Sequence, residues 1–301
     1  GCDRILLKVD STLRGPLTGM VEAALTASSR RRMLFAPAHP RAGRTVVEGE
    51  LLVGGVPLHL SPAARDPLLP AGSSRITDRF RRGMARLHAA RCDDLDQTSP
   101  SGIHILETTT TDDLSEACAR TWDGTWVHAG SAALVEAVLG HLGRKPQPMA
   151  VVESARPWIV LRGSLHPTTL AQMSQPCART IAIDEMAMAT CATAVQETWA
   201  HGRVPVLAVV RQRPGAEAAC ARRLAEVGRA LHADLGASLL VCGGMTARAL
   251  VDVLAVDLQP LGMPVPGLCY HRLDDGRLLL TKSGGLGGLD LLEGIRTCVW
   301  A

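Results

Sequence analysis

Apolar residues recur along this chain in two alternating patterns. Short runs rich in Ile, Leu and Val, each bounded by Gly, Pro or polar residues, have the length and composition of strands. They predict strands over Arg4–Lys8, Arg32–Ala36, Ile103–Glu107, Thr125–Val127, Trp158–Arg162, Val204–Val210, Ser238–Cys242 and Arg277–Lys282. Longer stretches rich in Ala, Leu and Arg carry apolar residues at helical spacing. These predict helices over Gly19–Ala27, Ser73–Ala90, Thr111–Trp122, Ala132–Gly140, Thr168–Gln175, Met188–His201, Gly215–Asp234 and Thr246–Leu254. Strand and helix alternate from the first residues onward, the pattern of layered α/β domains. The Arg-rich outer face of Gly215–Asp234 and the Arg30-Arg31-Arg32 run are read as solvated surface.

The alternation is interrupted once. Between Gly143 and Pro157 the residues Pro146, Pro148 and Pro157 resist helix continuation, and this places a domain boundary there. The expected architecture is two layered α/β domains, 1–147 and 148–301, with a cleft between them. Neither an internal repeat nor a low-complexity tract is visible.

Composition narrows the function classes. Hydrophobic residues make up 47% and charged residues 20% of the 301 residues, which fits a globular chain. No apolar run reaches the roughly 18 residues of a membrane span, so no membrane partner is expected. A net charge of +3 and 3% aromatic residues argue against a nucleic-acid groove or a stacking platform. Nine scattered cysteines, none spaced Cys-x-x-Cys, suit a reducing, cytoplasmic setting without disulfides or a structural metal. The chain opens on Gly1 with neither an initiator Met nor a secretory signal and is read as N-terminally truncated.

Candidate chemistry gathers at strand ends. Three glycine turns each follow a predicted strand in the C-terminal half: Gly163-Ser164, Gly243-Gly244 and Ser283-Gly284-Gly285. In open α/β sheets, ligands bind beyond the carboxyl ends of the strands, where helix N-termini present N–H groups to anions. Glycine lets backbone approach a phosphate. Ser164, Thr168, Thr246 and Ser283 add hydroxyls, and Lys282 is expected to neutralise phosphate charge. Neither a P-loop nor a Rossmann fingerprint is present. In the N-terminal half, Lys8, Asp10, Ser11 and Arg14 crowd the end of the first strand, a composition suited to an acidic, hydroxyl-bearing ligand or, equally, to plain helix capping. Arg44 and Thr45 follow the second strand as further anion ligands, and His39, between prolines, is read as a loop-packing residue.

The segments Lys8–Gly15 (KVDSTLRG), Phe35–Thr45 (FAPAHPRAGRT), Leu161–Gln172 (LRGSLHPTTLAQ), Cys242–Leu250 (CGGMTARAL) and Thr281–Gly287 (TKSGGLG) resemble, in order and spacing, the four-carbon acid sugar kinases, formerly a domain of unknown function. The resemblance implies that the first domain binds a sugar acid and the second binds ATP with Mg²⁺. It implies transfer of the γ-phosphoryl group to a terminal hydroxyl of a threonate, erythronate or 3-oxo-tetronate type of acid. It assigns Lys8, Asp10 and Arg14 to catalysis and Ser11, Arg44 and Thr45 to the acid. Gly163, Ser164, Thr168, Gly243, Gly244, Thr246, Lys282, Ser283, Gly284 and Gly285 fall to the nucleotide, and no residue is assigned as a metal ligand.

Two departures accompany the resemblance. Relatives carry an acidic Asp-Asp-Leu-Thr-Gly-Ala type of motif of which nothing precedes Gly1, and Met245 stands where they keep Asp or Glu. An impaired relative that still binds nucleotide or sugar acid is therefore the alternative reading; a dehydrogenase lacks its fingerprint. Expected partners are the small-molecule substrates and no nucleic acid, with a homo-oligomer left open.

Overall fold

The computed structural model describes residues 4–65, 71–81, 83–144, 157–211, 215–256, 258, 260–265 and 267–297. The chain divides into two compact units, Gly1–Gln147 and Pro148–Ala301. Most of the proline-containing stretch between them, 145–156, lies outside the described residues.

The first unit runs β1 (Leu6–Lys8), α1 (Leu17–Ser28), β2 (Arg32–Ala36), β3 (Arg44–Val47), β4 (Glu50–Val53), β5 (Val56–Pro57), β6 (Leu87–Ala90), β7 (Gly102–Leu106), α2 (Thr111–Thr121), β8 (Trp126–Gly130) and α3 (Ala132–His141). Five strands form a parallel sheet in the order β1-β8-β2-β7-β6, and β3-β4-β5 form a small antiparallel sheet. Strands β7 and β8 are buried at every position, as expected of a parallel sheet covered on both faces. Met33, Phe35, Ile103, Ile105 and Val127 face α1 and the β3–β5 sheet, packing with Leu17, Val21, Val46 and Leu51. Leu34, Ala36, Leu106 and Trp126 face α2 and α3 and pack with Leu114, Ala117, Leu134 and Val138.

The second unit runs β9 (Trp158–Arg162), α4 (Pro167–Met173), β10 (Ala178–Ala182), α5 (Met188–Ala200), β11 (Val204–Ala208), α6 (Glu217–Leu235), β12 (Ser238–Cys242), α7 (Gly244–Leu254), β13 (Pro260–Val265), β14 (Leu268–Arg272), β15 (Leu278–Lys282) and α8 (Leu291–Thr297). Its sheet has the order β10-β11-β9-β12-β15-β14-β13; β10 to β15 through β12 are parallel, and β14 and β13 add antiparallel strands at one edge. Ile159, Leu161, Leu239 and Val241 pack with residues of α5, α6 and α7. Val160, Leu240 and Leu280, on the opposite face, pack with Met173 of α4 and Leu291 and Leu292 of α8.

The α/β alternation is as the sequence predicts, with element ends moved by a few residues. One prediction is corrected. Ser73–Ala90 is not a helix: it holds a single 3₁₀ turn, Ile76–Arg79, then Gly83 at φ +78°, then β6. Leu87 to Ala90 pair in parallel with Ile103 to Leu106, so main-chain bonding to a neighbouring strand outweighs local helix propensity. Strands β10, β13 and β14 and the β3–β5 sheet are additions. Arg44 and Thr45, expected in a loop, open β3 opposite Val53 and Leu52. Among the described residues no helix is long and apolar enough to cross a membrane.

Candidate functional site

In the second unit, β9, β12 and β15 end side by side. Cys242 is in register with Arg162 on one side and with Lys282 on the other. The turns that follow are pinned to the neighbouring strand: the N–H groups of Gly163 and Ser164 both donate to the Cys242 carbonyl (3.0 and 2.8 Å), and that of Gly243 donates to Lys282 O (3.1 Å). Pinning draws the turns into contact. A Cβ on Gly163 would lie 1.8 Å from Thr246 Oγ1, and one on Gly284 would lie 2.7 Å from Ser164 Oγ. Gly243, at φ +114°, adopts a conformation that side chains disfavour, and its Cβ would stand 3.1 Å from Ser164 N. Helix α7 begins directly beyond it with no side-chain cap, which leaves its first-turn N–H groups to an external acceptor.

The predicted residues of this half occupy different roles. Gly163, Ser164, Gly243, Gly244, Thr246 and Gly284 meet at the turns; Thr246 is buried, Ser283 is exposed, and Gly285 follows in the same turn. Thr168 sits in the first turn of α4, where its N–H donates to His166 Nδ1 (3.2 Å). Lys282 is 3% exposed. Its ammonium donates to Ser283 O (2.8 Å), Gly284 O (3.2 Å) and Thr169 Oγ1 (3.2 Å), so its charge is directed into the turn's own carbonyls. Burial pulls its pKa down to about 8, against the opposing influence of Cys242. Thr169 and Gln172 were not singled out from the sequence, yet they hold the third turn: Thr169 Oγ1 donates to Gly284 O (2.7 Å), and Gln172 Nε2 reaches the carbonyls of Leu286, Gly287 and Gly288 at 3.2, 2.9 and 2.8 Å. Their three-residue spacing on one helix face was the available signal.

Direct ligation of Mg²⁺ by the turns does not fit these donors. They supply hydroxyls and amides without a carboxylate, Met245 is half exposed, and no group of three His, Cys, Asp or Glu suited to a metal occurs among the described residues.

In the first unit, β1, β8 and β2 end together, with Lys8 opposite Gly130 and Ala36 opposite Gly130. After β1 the chain folds around Asp10. The Thr12 N–H (2.8 Å) and hydroxyl donate to Oδ1, Leu13 N–H donates to Asp10 O (2.9 Å), and Arg14 grips the carboxylate through Nε (3.2 Å) and Nη2 (3.0 Å). Burial raises the Asp10 pKa, but Arg14 and Thr12 together outweigh it and hold the carboxyl at about 2. Leu13, fully buried, takes φ +57°, a conformation rare for a side chain of this size. Arg79, also missed in the sequence, donates from Nη2 to Leu13 O (2.6 Å).

After β2 the chain turns back on itself. His39 N–H donates to Arg44 O (2.9 Å) and Arg44 N–H to His39 O (3.1 Å), while the Ser131 hydroxyl ties Ala38 O to the start of α3. Arg44 is buried and donates to Ala42 O; burial lowers its pKa, Asp10 raises it and Arg14 lowers it, which places it within electrostatic reach of both. His39 is buried, and among the described residues its Nδ1 has no hydrogen-bond partner; burial depresses its pKa, Glu136 opposes this, and Arg44 and Lys8 add to it. The fold thus gathers Lys8, Asp10, Arg14, His39 and Arg44, three cations and one carboxylate beside a neutral imidazole. Lys8 is exposed, its ammonium on Val9 O (2.7 Å), and Ser11 is half-buried on the same loop. Thr45 is not brought beside Arg44: Arg44 and Val46 share the buried side of β3, and the pleat turns Thr45 to the other.

Residues 1–138 match the family of the sugar-binding N-terminal domain. A D-threonate kinase of Salmonella typhimurium is 49% identical over 71 residues, 24% of this chain and 17% of its own. A D-threonate kinase of Bordetella bronchiseptica is 29% identical over 334 aligned positions, spanning 97% of this chain and 77% of the relative. A 3-oxo-tetronate kinase of Methylobacterium radiotolerans is 29% identical over 343 positions, 96% of this chain and 80% of the relative. The crystal structure of Haemophilus influenzae protein HI1011, of family model DUF1537, superposes with a TM-score of 0.64 at 16% identity, over 100% of this chain and 83% of its own, and shares the fold. Residues 1–138 are thus similar to the sugar-binding N-terminal domain family, in a chain that along nearly its whole length is similar to D-threonate and 3-oxo-tetronate kinases.

Proposed function

We propose that this chain is an ATP-dependent kinase that phosphorylates a terminal hydroxyl of a four-carbon sugar acid of the threonate, erythronate or 3-oxo-tetronate type. The observation that carries the reading is the meeting of three glycine turns at the ends of β9, β12 and β15, beside the uncapped start of α7. The first-turn N–H groups of α7, which no side chain caps, suit the phosphates of a nucleotide, and the glycine turns leave room for them to approach. The acid class rests on the relatives' names and on the excess of cations around Asp10.

Phosphoryl transfer depends on positioning and charge neutralisation more than on covalent participation by the protein. In this reading Arg14 and Arg44 face the substrate carboxylate. A carboxylate held at about 2, with both oxygens bonded, is a weak proton acceptor, so Asp10 organises the loop and orients the substrate hydroxyl. The hydroxyl oxygen forms the new bond to the γ-phosphorus, the bond to the β,γ-bridging oxygen breaks, ADP departs, and the hydroxyl proton passes to solvent. Lys282, Thr169 and Gln172 keep the third turn in shape for the nucleotide.

The test is ADP release by the full chain with Mg-ATP and each of the three acids. Acid-dependent turnover at about 1–100 per second, the usual kinase range, is expected with at least one of them. Binding of nucleotide and acid without turnover would instead establish the impaired relative, a reading that exposed Met245 favours.

A further inference from the structure

Strand β9 ends on a charge that its surroundings leave unanswered. Arg162 is only 8% exposed, yet among the described residues its guanidinium makes no hydrogen bond and no ion pair. The contrast with its neighbour two strands away is direct: Lys282 stands in the same row, across Cys242, and has three acceptors. Among the described residues, the one titratable group that acts on Arg162 is Cys242. Burial lifts that thiol to about 11, so it stays neutral at physiological pH and is no counter-ion. Burying a guanidinium without an acceptor is costly, and arginine does not escape the cost by losing its proton.

The side chain lies on the sheet face shared by Trp158, Val160, Cys242 and Leu280, over which α4 packs through Met173. None of its nitrogens is among the sealed side-chain atoms that lack partners, so the exposure that remains to Arg162 reaches its guanidinium. The next residue, Gly163, abuts Thr246 in the first turn of α7. A cationic fork, a glycine turn and an uncapped helix start therefore occupy adjacent strand ends, and among the described residues no ion pair answers the fork.

We propose that Arg162 is an oxyanion receptor whose planar fork takes two oxygens of one phosphoryl group at the level of the glycine turns. The ligand is the phosphate chain of a nucleotide, an identity that rests on the kinase reading above. The same chemistry is offered by inorganic pyrophosphate, which serves as a probe independent of that reading. In this arrangement Lys282 shapes the turn and Arg162 supplies the charge that meets the phosphate.

The experiment is titration calorimetry of the full chain with ATP, adenosine and inorganic pyrophosphate, for the parent, Arg162→Gln and Arg162→Lys, with thermal melting of the ligand-free proteins and of Arg162→Met. The parent is expected to bind pyrophosphate and ATP. Arg162→Gln is expected to weaken both on the order of 100-fold, with adenosine unaffected, and Arg162→Lys to fall between. Without ligand, Arg162→Met is expected to melt higher than the parent, since an unanswered buried charge has gone. Pyrophosphate binding that depends on Arg162, without ATP binding, would support the receptor and defeat the nucleotide reading. ATP affinity unchanged in Arg162→Gln would overturn the receptor and leave the nucleotide reading standing. A parent that binds neither pyrophosphate nor ATP, or an Arg162→Met that melts lower or fails to fold, would also overturn it, the latter because the charge would then be satisfied within the fold.

Discussion

The Thr246 hydroxyl occupies the space where a side chain at Gly163 would begin: a Cβ there would lie 1.8 Å from Oγ1 and 2.9 Å from the Thr246 Cβ. A short β-branched side chain on a helix has little freedom to withdraw. Gly163→Ala must therefore displace the start of α7 from the turn after β9, at about 1–3 kcal/mol, the usual cost of overpacking. Nucleotide affinity is expected to fall with it. Combining Gly163→Ala with Thr246→Ala should recover much of both losses, and a double-mutant cycle on urea unfolding and ATP titration checks the coupling. Simple additivity would show that the two residues do not meet.

Asp10 links acid stability to the loop after β1. Its folded pKa, about 2, lies below the unfolded value of 3.8, so its contribution is fully present above about pH 4 and is lost as pH falls through 2. Asp10→Asn is expected to cost about 1–2 kcal/mol at pH 7, after allowance for solvent screening of a side chain 32% exposed. The gap between parent and variant should shrink below pH 4, as followed by urea titrations at pH 7 and pH 3. The same substitution releases Arg14 and should raise KM for the acid.

His128 acts in a different pH window. It is 2% exposed, packs against the Trp122 ring at a centroid distance of 4.7 Å, and meets Thr121 Oγ1 through Nε2 (2.9 Å). Burial first, then Arg30, Arg4 and His141, lower its pKa to about 4, while Asp123 opposes them. The unfolded imidazole takes up a proton near pH 6.5 and the folded one does not, so its stabilisation is present above 6.5 and is lost as pH falls toward 4. His128→Phe should remove up to about 3 kcal/mol of this acid loss, while Thr121 keeps its bond to Ala117 O (2.7 Å). Stability measured from pH 7.5 to 4 should have a shallower slope in the variant. His39, His104 and His232 are shifted in the same direction, so some acid sensitivity remains.

Arg79 braces the left-handed backbone of Leu13. Its guanidinium also fills the space over Gly72, where a Cβ would lie 2.0 Å from Nη1. Arg79→Met removes a charged donor from a backbone carbonyl, with an expected cost of about 1.5–3 kcal/mol. Gly72→Ala should reproduce part of that loss by displacing the guanidinium. Both should raise KM for the acid and leave ATP affinity unchanged; an equal effect on ATP would mean that the damage is general.

What the sequence determined by itself is whatever depends on neighbours along the chain. Hydrophobic period separates strands from helices within a few residues, glycine and proline mark turns by their backbone limits, and so the α/β alternation, the break near residue 147 and the polar loop at Lys8–Gly15 were legible. Tertiary structure decided what depends on distant residues. Ser73–Ala90 yields to a strand because its backbone groups find partners in Ile103–Leu106. Lys282 turns inward because Thr169, 113 positions away, offers an oxygen, and Leu13 holds its backbone conformation under a guanidinium 66 positions away. Arg162 and Lys282 are both cations at strand ends, indistinguishable by local pattern. Which one is answered by the fold follows from the oxygens that Thr169 of α4 and the third turn place beside Lys282 and not beside Arg162, a difference in acceptor placement that no local pattern encodes.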